Sequence, residues 1–171
     1  MWEDSLNRKR ETADFITDEG TSRAAARFFI ELTSNSEEET FAIGKRIAGL
    51  LAGGSIAALR GTLGSGKTCL ARGIACGLGI SENLTSPTYT IISEYQNEHS
   101  PTLYHIDAYR LNNDEDFDQL GGSEIINGTG ISIIEWSERI QKSLPDNTIT
   151  VTLEITGPSS RLIKVYRPET V

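Results

Sequence analysis

A glycine-rich segment has the residue types that bind nucleotide phosphates. Residues 61–68 read GTLGSGKT and match the pattern GxxxxGK[ST] in full. Glycines let the backbone N–H groups of such a loop converge on one anion, and a helix that follows adds the positive end of its dipole. The Lys67 ammonium would contact the β- and γ-phosphates, and the Thr68 hydroxyl would be a ligand of Mg²⁺. The segment predicts binding of a nucleoside triphosphate as its magnesium complex.

Two acidic residues are candidates for the hydrolysis of that nucleotide. Asp107 ends the apolar run LYHID, and Glu135 ends the apolar run ISIIE. The carboxyl ends of strands form the edge where α/β sheets bind ligands, and hydrolysis needs carboxylates near the metal ion and the γ-phosphate. We expect Glu135 on the magnesium side, directly or through water, and Asp107 towards the γ-phosphate or the attacking water, although these roles could be exchanged.

Several other residues are weaker candidates for the same site. The segment TSPTYT (85–90) would sense the γ-phosphate or form an ordinary turn, and Trp136 would shield the site, contact a partner or pack in the core. Arg110 and Arg161 would contact phosphate or ribose, or would be surface charges. The two histidines of the chain form no metal-binding set.

The elements that must position these residues predict an α/β protein. We predict strands at 27–34, 55–60, 90–96, 102–111, 130–136, 147–156 and 161–167, and helices at 36–54, 67–79, 113–127 (one or two) and 137–144. Strands that alternate with helices are typical of a parallel sheet, and strands separated by short turns predict antiparallel hairpins. The expectation is a single-domain, three-layer fold like that of P-loop NTPases, with a mixed, mostly parallel sheet and antiparallel hairpins.

Local signals predict the ends of the two longest helices. Ser36 and Glu39 form a capping box at the start of the first helix, and Gly53–Gly54 would end it. Gly79 would cap the end of the second helix, which follows the glycine loop.

Composition fits a soluble globular protein and limits its partners. The 171 residues carry a net charge of −8, and 37% of them are hydrophobic. Because direct binding of nucleic acid usually needs a basic surface, an RNA-related role would run through partner proteins or a local basic patch. Cys69 and Cys76 have neither CxxC nor metal-ligand spacing, and we expect both to be small core residues. No membrane-spanning or secretory segment is visible, so the cytoplasm is the expected location.

The beginning of the chain differs from the rest. Residues 1–26 are polar, mixed in charge and without clear periodicity, so we expect a flexible N-terminal extension. We expect residues 27–171 to form the nucleotide-binding ATPase domain.

Four motifs together resemble one known family. GTLGSGKT (61–68), SPTYT (86–90), YHIDAYRL (104–111) and IEWSERI (134–140) occur in the order and at the spacings of the bacterial TsaE family of tRNA threonylcarbamoyladenosine biosynthesis. The resemblance covers residues 31–167. It implies a small P-loop ATPase of α/β fold that uses ATP and Mg²⁺. It also implies that TsaB-, TsaD- and TsaC-type proteins are partners, that hydrolysis supports turnover of a TsaB–TsaD assembly, and that tRNA is met only indirectly.

The resemblance also implies roles for individual residues. The catalytic residues would be Lys67, Asp107 and Glu135, and the magnesium ligands would be Thr68 and Glu135. The contacts to ATP would come from Glu37, Leu63, Gly64, Ser65, Gly66, Lys67, Thr68, Cys69, Asp107 and Arg161.

The glycine loop departs from the usual family pattern at two positions. Thr62 stands where the family usually has an acid, and Ser65 stands where it usually has an alanine. Neither change removes a backbone donor, so we expect phosphate binding to persist. The lost charge at position 62 would alter partner contacts or the resting state.

The residues alone leave two other functions open. One is a small-molecule kinase, and the other is a nucleotide-sensing module without useful turnover. No second glycine-rich or arginine-rich lid segment is evident in the sequence, which weighs against a kinase. No [NT]KxD motif supports specificity for guanine.

Overall fold

The computed structural model describes residues 12–13, 26–82, 84, 91–97 and 100–168. The predicted sensing segment TSPTYT (85–90) lies outside these residues. So does nearly all of the expected extension 1–26, of which only Thr12–Ala13 and Ala26 are described, in the first two strands. The flexible extension and the domain boundary at residue 27 therefore stay predictions.

Eight strands in the described residues form one mixed sheet. In chain order they are β1 (Thr12–Ala13), β2 (Ala26–Ser34), β3 (Ile56–Arg60), β4 (Ile92–Asn97), β5 (Ser100–Asp107), β6 (Ile131–Glu135), β7 (Ile149–Ile155) and β8 (Arg161–Pro168). Their order across the sheet is β1-β2-β8-β7-β3-β6-β5-β4. The central strands β7, β3, β6 and β5 run parallel, and the outer pairs are antiparallel. The predicted mixed sheet is confirmed, with its parallel part in the centre.

Helical layers cover both faces of this sheet. One face carries α1 (Glu37–Ala48) and α2 (Lys67–Gly77), and the other carries α3 (Asp114–Gln119), α4 (Gly122–Ile126) and two 3₁₀ turns at Ala108–Arg110 and Ser137–Ile140. Alternate side chains of β3 are buried in the two cores, Leu59 in the first and Ala58 in the second. The predicted three-layer α/β fold is confirmed. None of the described helices has the length and hydropathy that a bilayer crossing requires.

Three predicted elements end earlier than expected. The strand predicted to reach residue 111 stops at Asp107, because the Asp107 carboxylate accepts a hydrogen bond from the Tyr109 N–H at 3.0 Å and caps the 3₁₀ turn that follows. Helix α1 ends at Ala48 and not at Gly53–Gly54. Just beyond Ala48 the backbone N–H groups donate to carbonyls three residues back, so the chain forms tight turns and does not continue the α-helix. The helix predicted at 137–144 is a 3₁₀ turn followed by further turns.

The predicted helix caps are present with one difference. Ser36 Oγ accepts a hydrogen bond from the Glu39 N–H at 3.2 Å, as a capping box requires. The Glu39 carboxylate, however, accepts from the Asn35 N–H at 2.7 Å rather than from that of Ser36. Gly79 follows α2 with φ +83°, and its N–H donates to the Cys76 carbonyl at 3.1 Å. A glycine with this conformation is the expected helix end.

Glycines bring the backbones of α1 and α2 into direct contact. A Cβ on Gly73 would lie 2.1 Å from the carbonyl oxygen of Phe41, and a Cβ on Gly44 would lie 2.4 Å from that of Leu70. Any larger residue at these positions would force the helices apart. The contact therefore sets the position of α2, and with it the glycine loop that precedes α2, relative to α1.

Gly73→Ala is expected to lower the free energy of unfolding by about 1–3 kcal/mol, because the added methyl group meets backbone atoms that have no rotamer to change. Gly49→Ala is the matched control. Gly49 has φ −66°, and a Cβ there would lie 3.4 Å from the Arg46 carbonyl, an ordinary contact. Urea unfolding of the two variants tests this expectation. If Gly73→Ala were as stable as the wild-type protein, the close approach of the helices would be wrong.

Candidate nucleotide-binding site

A cavity of about 640 Å³ opens at the carboxyl edge of the parallel strands. Strand β3 leads into the glycine loop, and β5 and β6 end at Asp107 and Glu135, so the predicted chemical groups meet there. Glu135 lines the cavity, together with nine of the ten residues expected to contact ATP: Glu37, Leu63, Gly64, Gly66, Lys67, Thr68, Cys69, Asp107 and Arg161. Ser65, the tenth, is fully buried and is not part of the lining. Contact of these residues with a nucleotide stays a prediction.

The glycine loop, residues 61–66, has three glycines with positive φ, among them Gly64 with φ +76°. Gly66 precedes α2 with φ +100°, and Gly61 has φ +151° with the Leu153 carbonyl 2.5 Å from where a Cβ would lie. The first turn of α2 carries neither an acidic residue nor a capping side chain. The positive end of the helix dipole at the cavity is therefore not offset by its own helix, which favours an anion at this place.

The Lys67 ammonium is held by the loop itself. Its Nζ donates to the carbonyl oxygens of Gly61 at 2.7 Å and Thr62 at 3.0 Å, and it lies 3.7 Å from the centroid of the Trp136 ring. Burial lowers the pKa of Lys67, and nearby carboxylates, chiefly Glu135, act in the opposite direction. A partly desolvated cation gains free energy from a polyanion that enters the cavity.

Glu135 connects the start of α2 to the neighbouring strand. Its Oε2 accepts a hydrogen bond from Thr68 Oγ1 at 2.8 Å, and its Oε1 lies 2.9 Å from His105 Nε2. Asp107 is the residue of β5 that pairs in register with Glu135. The two predicted carboxylates thus lie at neighbouring strand ends, and Glu135 is the one in contact with the Thr68 hydroxyl.

Arg161 binds the backbone of the glycine loop. Its guanidinium donates to the carbonyl oxygens of Ser65 at 3.0 Å and Gly64 at 3.1 Å. The same group donates to Gly157 at 3.2 Å and Ser160 at 2.9 Å, in the turn between β7 and β8. A guanidinium has five N–H donors, so four of them hold the loop against this turn. Arg161 also lines the cavity, so the phosphate or ribose contact that the sequence offers as one alternative to a surface charge stays a prediction.

Glu37 and Cys69 lie where α1 meets α2 at the cavity. Cys69 Sγ donates to the backbone carbonyl of Glu37 at 3.3 Å. Burial, and after it the charge of Glu37, raise the pKa of the Cys69 thiol, so the thiol stays protonated. The expectation that both cysteines are core residues is wrong, because Cys69 is half-buried and Cys76 is exposed. Both lie on the side of α2 that faces away from the sheet.

Two aromatic residues form one side of the cavity. The ring centroids of Tyr109 and Trp136 are 4.9 Å apart, and Tyr109 is 47% exposed. Trp136 is half-buried and has φ +57°, a backbone region that bulky residues rarely adopt. Trp136 lines the cavity and also packs against the second hydrophobic core, so two of the alternatives that the sequence leaves open apply to it. Tyr109 was not among the candidates, although its place two residues after the strand-end Asp107 is a usable signal. Arg110 is not part of the lining.

Comparison with known proteins identifies the family. The family model described as threonylcarbamoyl adenosine biosynthesis protein TsaE matches residues 34–163. This chain belongs to the TsaE family. The matched range contains the glycine loop, both strand-end carboxylates and Arg161, so the family resemblance of the motifs is confirmed.

Individual relatives agree with this assignment. The tRNA threonylcarbamoyladenosine biosynthesis protein TsaE of Treponema pallidum is 43% identical over 132 residues, which cover 77% of this chain and 96% of that protein. The protein of the same name from Bacillus subtilis is 39% identical over 126 residues, which cover 74% of this chain and 78% of that protein. The crystal structure of Bacillus subtilis YdiB is similar with a TM-score of 0.71 at 31% identity, covering 84% of this chain and 88% of YdiB.

Proposed function

We propose that this chain is a magnesium-dependent ATPase that supports the attachment of a threonylcarbamoyl group to an adenosine of tRNA. One observation carries the proposal: the Thr68 hydroxyl, just after the glycine loop, donates to the buried strand-end carboxylate of Glu135 at 2.8 Å. A loop of this kind binds phosphates, and a hydroxyl beside a carboxylate supplies oxygen ligands for Mg²⁺. The names of the relatives supply the biological context.

The residues present fit an Mg²⁺ ion that binds together with a nucleotide. Thr68 and Glu135 offer oxygen donors, and Asp107 lies on the neighbouring strand. Within the described residues, no group of three or more His, Cys, Asp or Glu side chains could hold a metal ion. Mg²⁺ commonly binds through one or two carboxylates, waters and substrate phosphates, so a partial protein set suits it. When bound there, the ion would offset the charge of the phosphates.

The remaining side chains have separate tasks in this proposal. Lys67 would exchange the loop carbonyls for the β- and γ-phosphates of ATP. Asp107 would orient the attacking water or face the γ-phosphate, since it lines the cavity beside Glu135. Arg161 would act mainly by holding the loop. The other proposed ATP contacts are Glu37, Leu63, Gly64, Ser65, Gly66, Thr68, Cys69 and Arg161.

The proposed partners are a TsaB–TsaD assembly and a TsaC-type protein. Hydrolysis would support turnover of that assembly, and this chain would contact tRNA only indirectly. The net charge of −8 supports this division, because direct binding of tRNA phosphates usually needs a basic surface. The cytoplasmic location stays a prediction from the sequence.

The test is release of inorganic phosphate from Mg·ATP by three mixtures. They contain the protein alone, the protein with a TsaB–TsaD pair, and both with a TsaC-type protein and tRNA. The proposal expects phosphate release that requires Mg²⁺ and rises when TsaB–TsaD is added. Transfer of the γ-phosphate to a metabolite would establish a kinase instead. Binding of ATP without cleavage in all mixtures would establish a nucleotide-sensing module and end the ATPase proposal.

A further inference from the structure

We propose that His105 is a positioning residue that orients the Glu135 carboxylate towards Thr68 and the magnesium ion. The inference rests on the proposed function, because that function gives Glu135 its role. It goes beyond that function by assigning a task to a side chain that has no role in the proposed mechanism.

The contact between the two side chains is short and enclosed. His105 Nε2 lies 2.9 Å from Glu135 Oε1, and the side chains are 0% and 3% exposed. The other carboxylate oxygen, Oε2, accepts from Thr68 Oγ1 at 2.8 Å. Each oxygen of the carboxylate therefore has one fixed donor. Two donors on opposite oxygens prevent rotation of the carboxylate plane, which a single donor would allow.

The nearest strand positions on the face of His105 are Leu103 and Asp107 in β5, Ser93 in β4 and Ile133 in β6. Leu103 and Ile133, buried neighbours on the same face of the sheet, are apolar. His105 Nδ1 is buried and has no hydrogen-bond partner among the described residues. A buried N–H without an acceptor is costly, so a proton on Nδ1 is disfavoured. We therefore assign the proton to Nε2, where it is donated to Glu135.

Loss of this donor should weaken the use of magnesium more than the binding of nucleotide. Some side chains hydrogen-bond a metal ligand and so fix its orientation. Their removal commonly changes metal affinity or activity about 10- to 100-fold. Binding of ADP without metal depends on the loop and Lys67, which His105 does not contact. We expect His105→Leu to raise the half-saturating Mg²⁺ concentration about 10-fold or more. ADP affinity in the presence of a chelator should be unchanged.

The experiment compares three variants with the wild-type protein. His105→Leu removes the donor, and His105→Gln keeps an N–H donor of similar reach. Leu103→Ala is the matched control, because it disturbs the same strand and core without touching Glu135. Calorimetry measures ADP affinity with and without Mg²⁺, and phosphate release gives the half-saturating Mg²⁺ concentration. A positioning role predicts that Gln restores much of the Mg²⁺ dependence and that Leu103→Ala retains all of it, whatever its stability.

Each result decides between the two proposals. If wild-type ADP affinity and ATP turnover do not respond to Mg²⁺, the proposed function fails and this inference fails with it. If the wild type responds and His105→Leu responds at the same Mg²⁺ concentration, only the positioning role is overturned. An equal change in His105→Gln and His105→Leu would also overturn it, because a packing role would then suffice.

A spectrum of the wild-type protein keeps the inference testable if the Leu variant does not fold. The chain has two histidines, so ¹⁵N labelling of the imidazoles with His99→Gln as reference identifies the signals of His105. The inference predicts a ring protonated at Nε2, with a slowly exchanging N–H that shifts when Mg·ADP binds. Protonation at Nδ1 alone would overturn it, because Nε2 could not then donate to Glu135.

Discussion

Lys67→Ala is expected to weaken the binding of Mg·ATP about 10- to 100-fold. The lost contact is a hydrogen bond between charged groups, worth about 1.5–3 kcal/mol, and about 1.4 kcal/mol corresponds to a tenfold change in Kd. The ammonium donates to the Gly61 and Thr62 carbonyls, and the proposed function expects these contacts to be lost when Lys67 binds the phosphates. This exchange limits the effect to the stated range. Calorimetric titration of both proteins with Mg·ATP measures it.

Lys164→Ala is the matched control for this variant. It removes the same side chain from β8, where Nζ pairs with Glu31 at 3.6 Å and the residue is not part of the cavity lining. We expect its Kd to equal that of the wild-type protein. An unchanged Kd for Lys67→Ala would show that Lys67 does not contact the phosphates.

Glu135→Gln is expected to slow ATP hydrolysis about 100- to 1,000-fold, the usual cost of losing one preorganised charge-stabilising group. Glutamine keeps the size of the side chain and can bond both Thr68 and His105, so the fold and the binding of nucleotide should persist. What it removes is the negative charge beside the metal ion. Single-turnover measurements of phosphate release, with saturating Mg·ATP, separate the slower chemical step from any change in affinity.

Glu154→Gln provides the corresponding control, since it neutralises an exposed carboxylate on β7 outside the cavity lining. Its hydrolysis rate should match that of the wild-type protein. Wild-type turnover in Glu135→Gln would assign the essential charge to another group, and Asp107→Asn would be the next variant to measure. A loss in both variants is compatible with the two separate roles that the sequence predicts for the carboxylates.

Much of the fold could be predicted where apolar patterns were unambiguous. Strands β3 and β6 were predicted to within one residue, because a strand buried on both faces is a continuous apolar run. Element ends that depend on side-chain hydrogen bonds were missed, as with the carboxylate of Asp107 that stops β5. Strand β2, near the start of the described chain, pairs with β8 at its end, and no local sequence pattern indicates this long-range pairing.

The site was predictable to a similar extent. The glycine loop and the two strand-end acids could be found because phosphate chemistry requires those residue types at those places. The contacts of Arg161 could not, because its partners are main-chain carbonyls that leave no trace in side-chain patterns. Side chains alternate along a strand, so His105 and Asp107 share a face of β5. The contact of His105 with Glu135, however, depends on the register of β5 against β6, which the sequence does not show.

A crystal structure with Mg²⁺ and a non-hydrolysable ATP analogue tests the central claim most directly. The account predicts phosphates within the loop of residues 61–68, Lys67 Nζ on the β- and γ-phosphates, and Mg²⁺ at about 2.1 Å from Thr68 Oγ1. Glu135 should contact the ion directly or through one water. Phosphates bound away from the loop, or an ion whose ligands include neither Thr68 nor Glu135, would contradict the account.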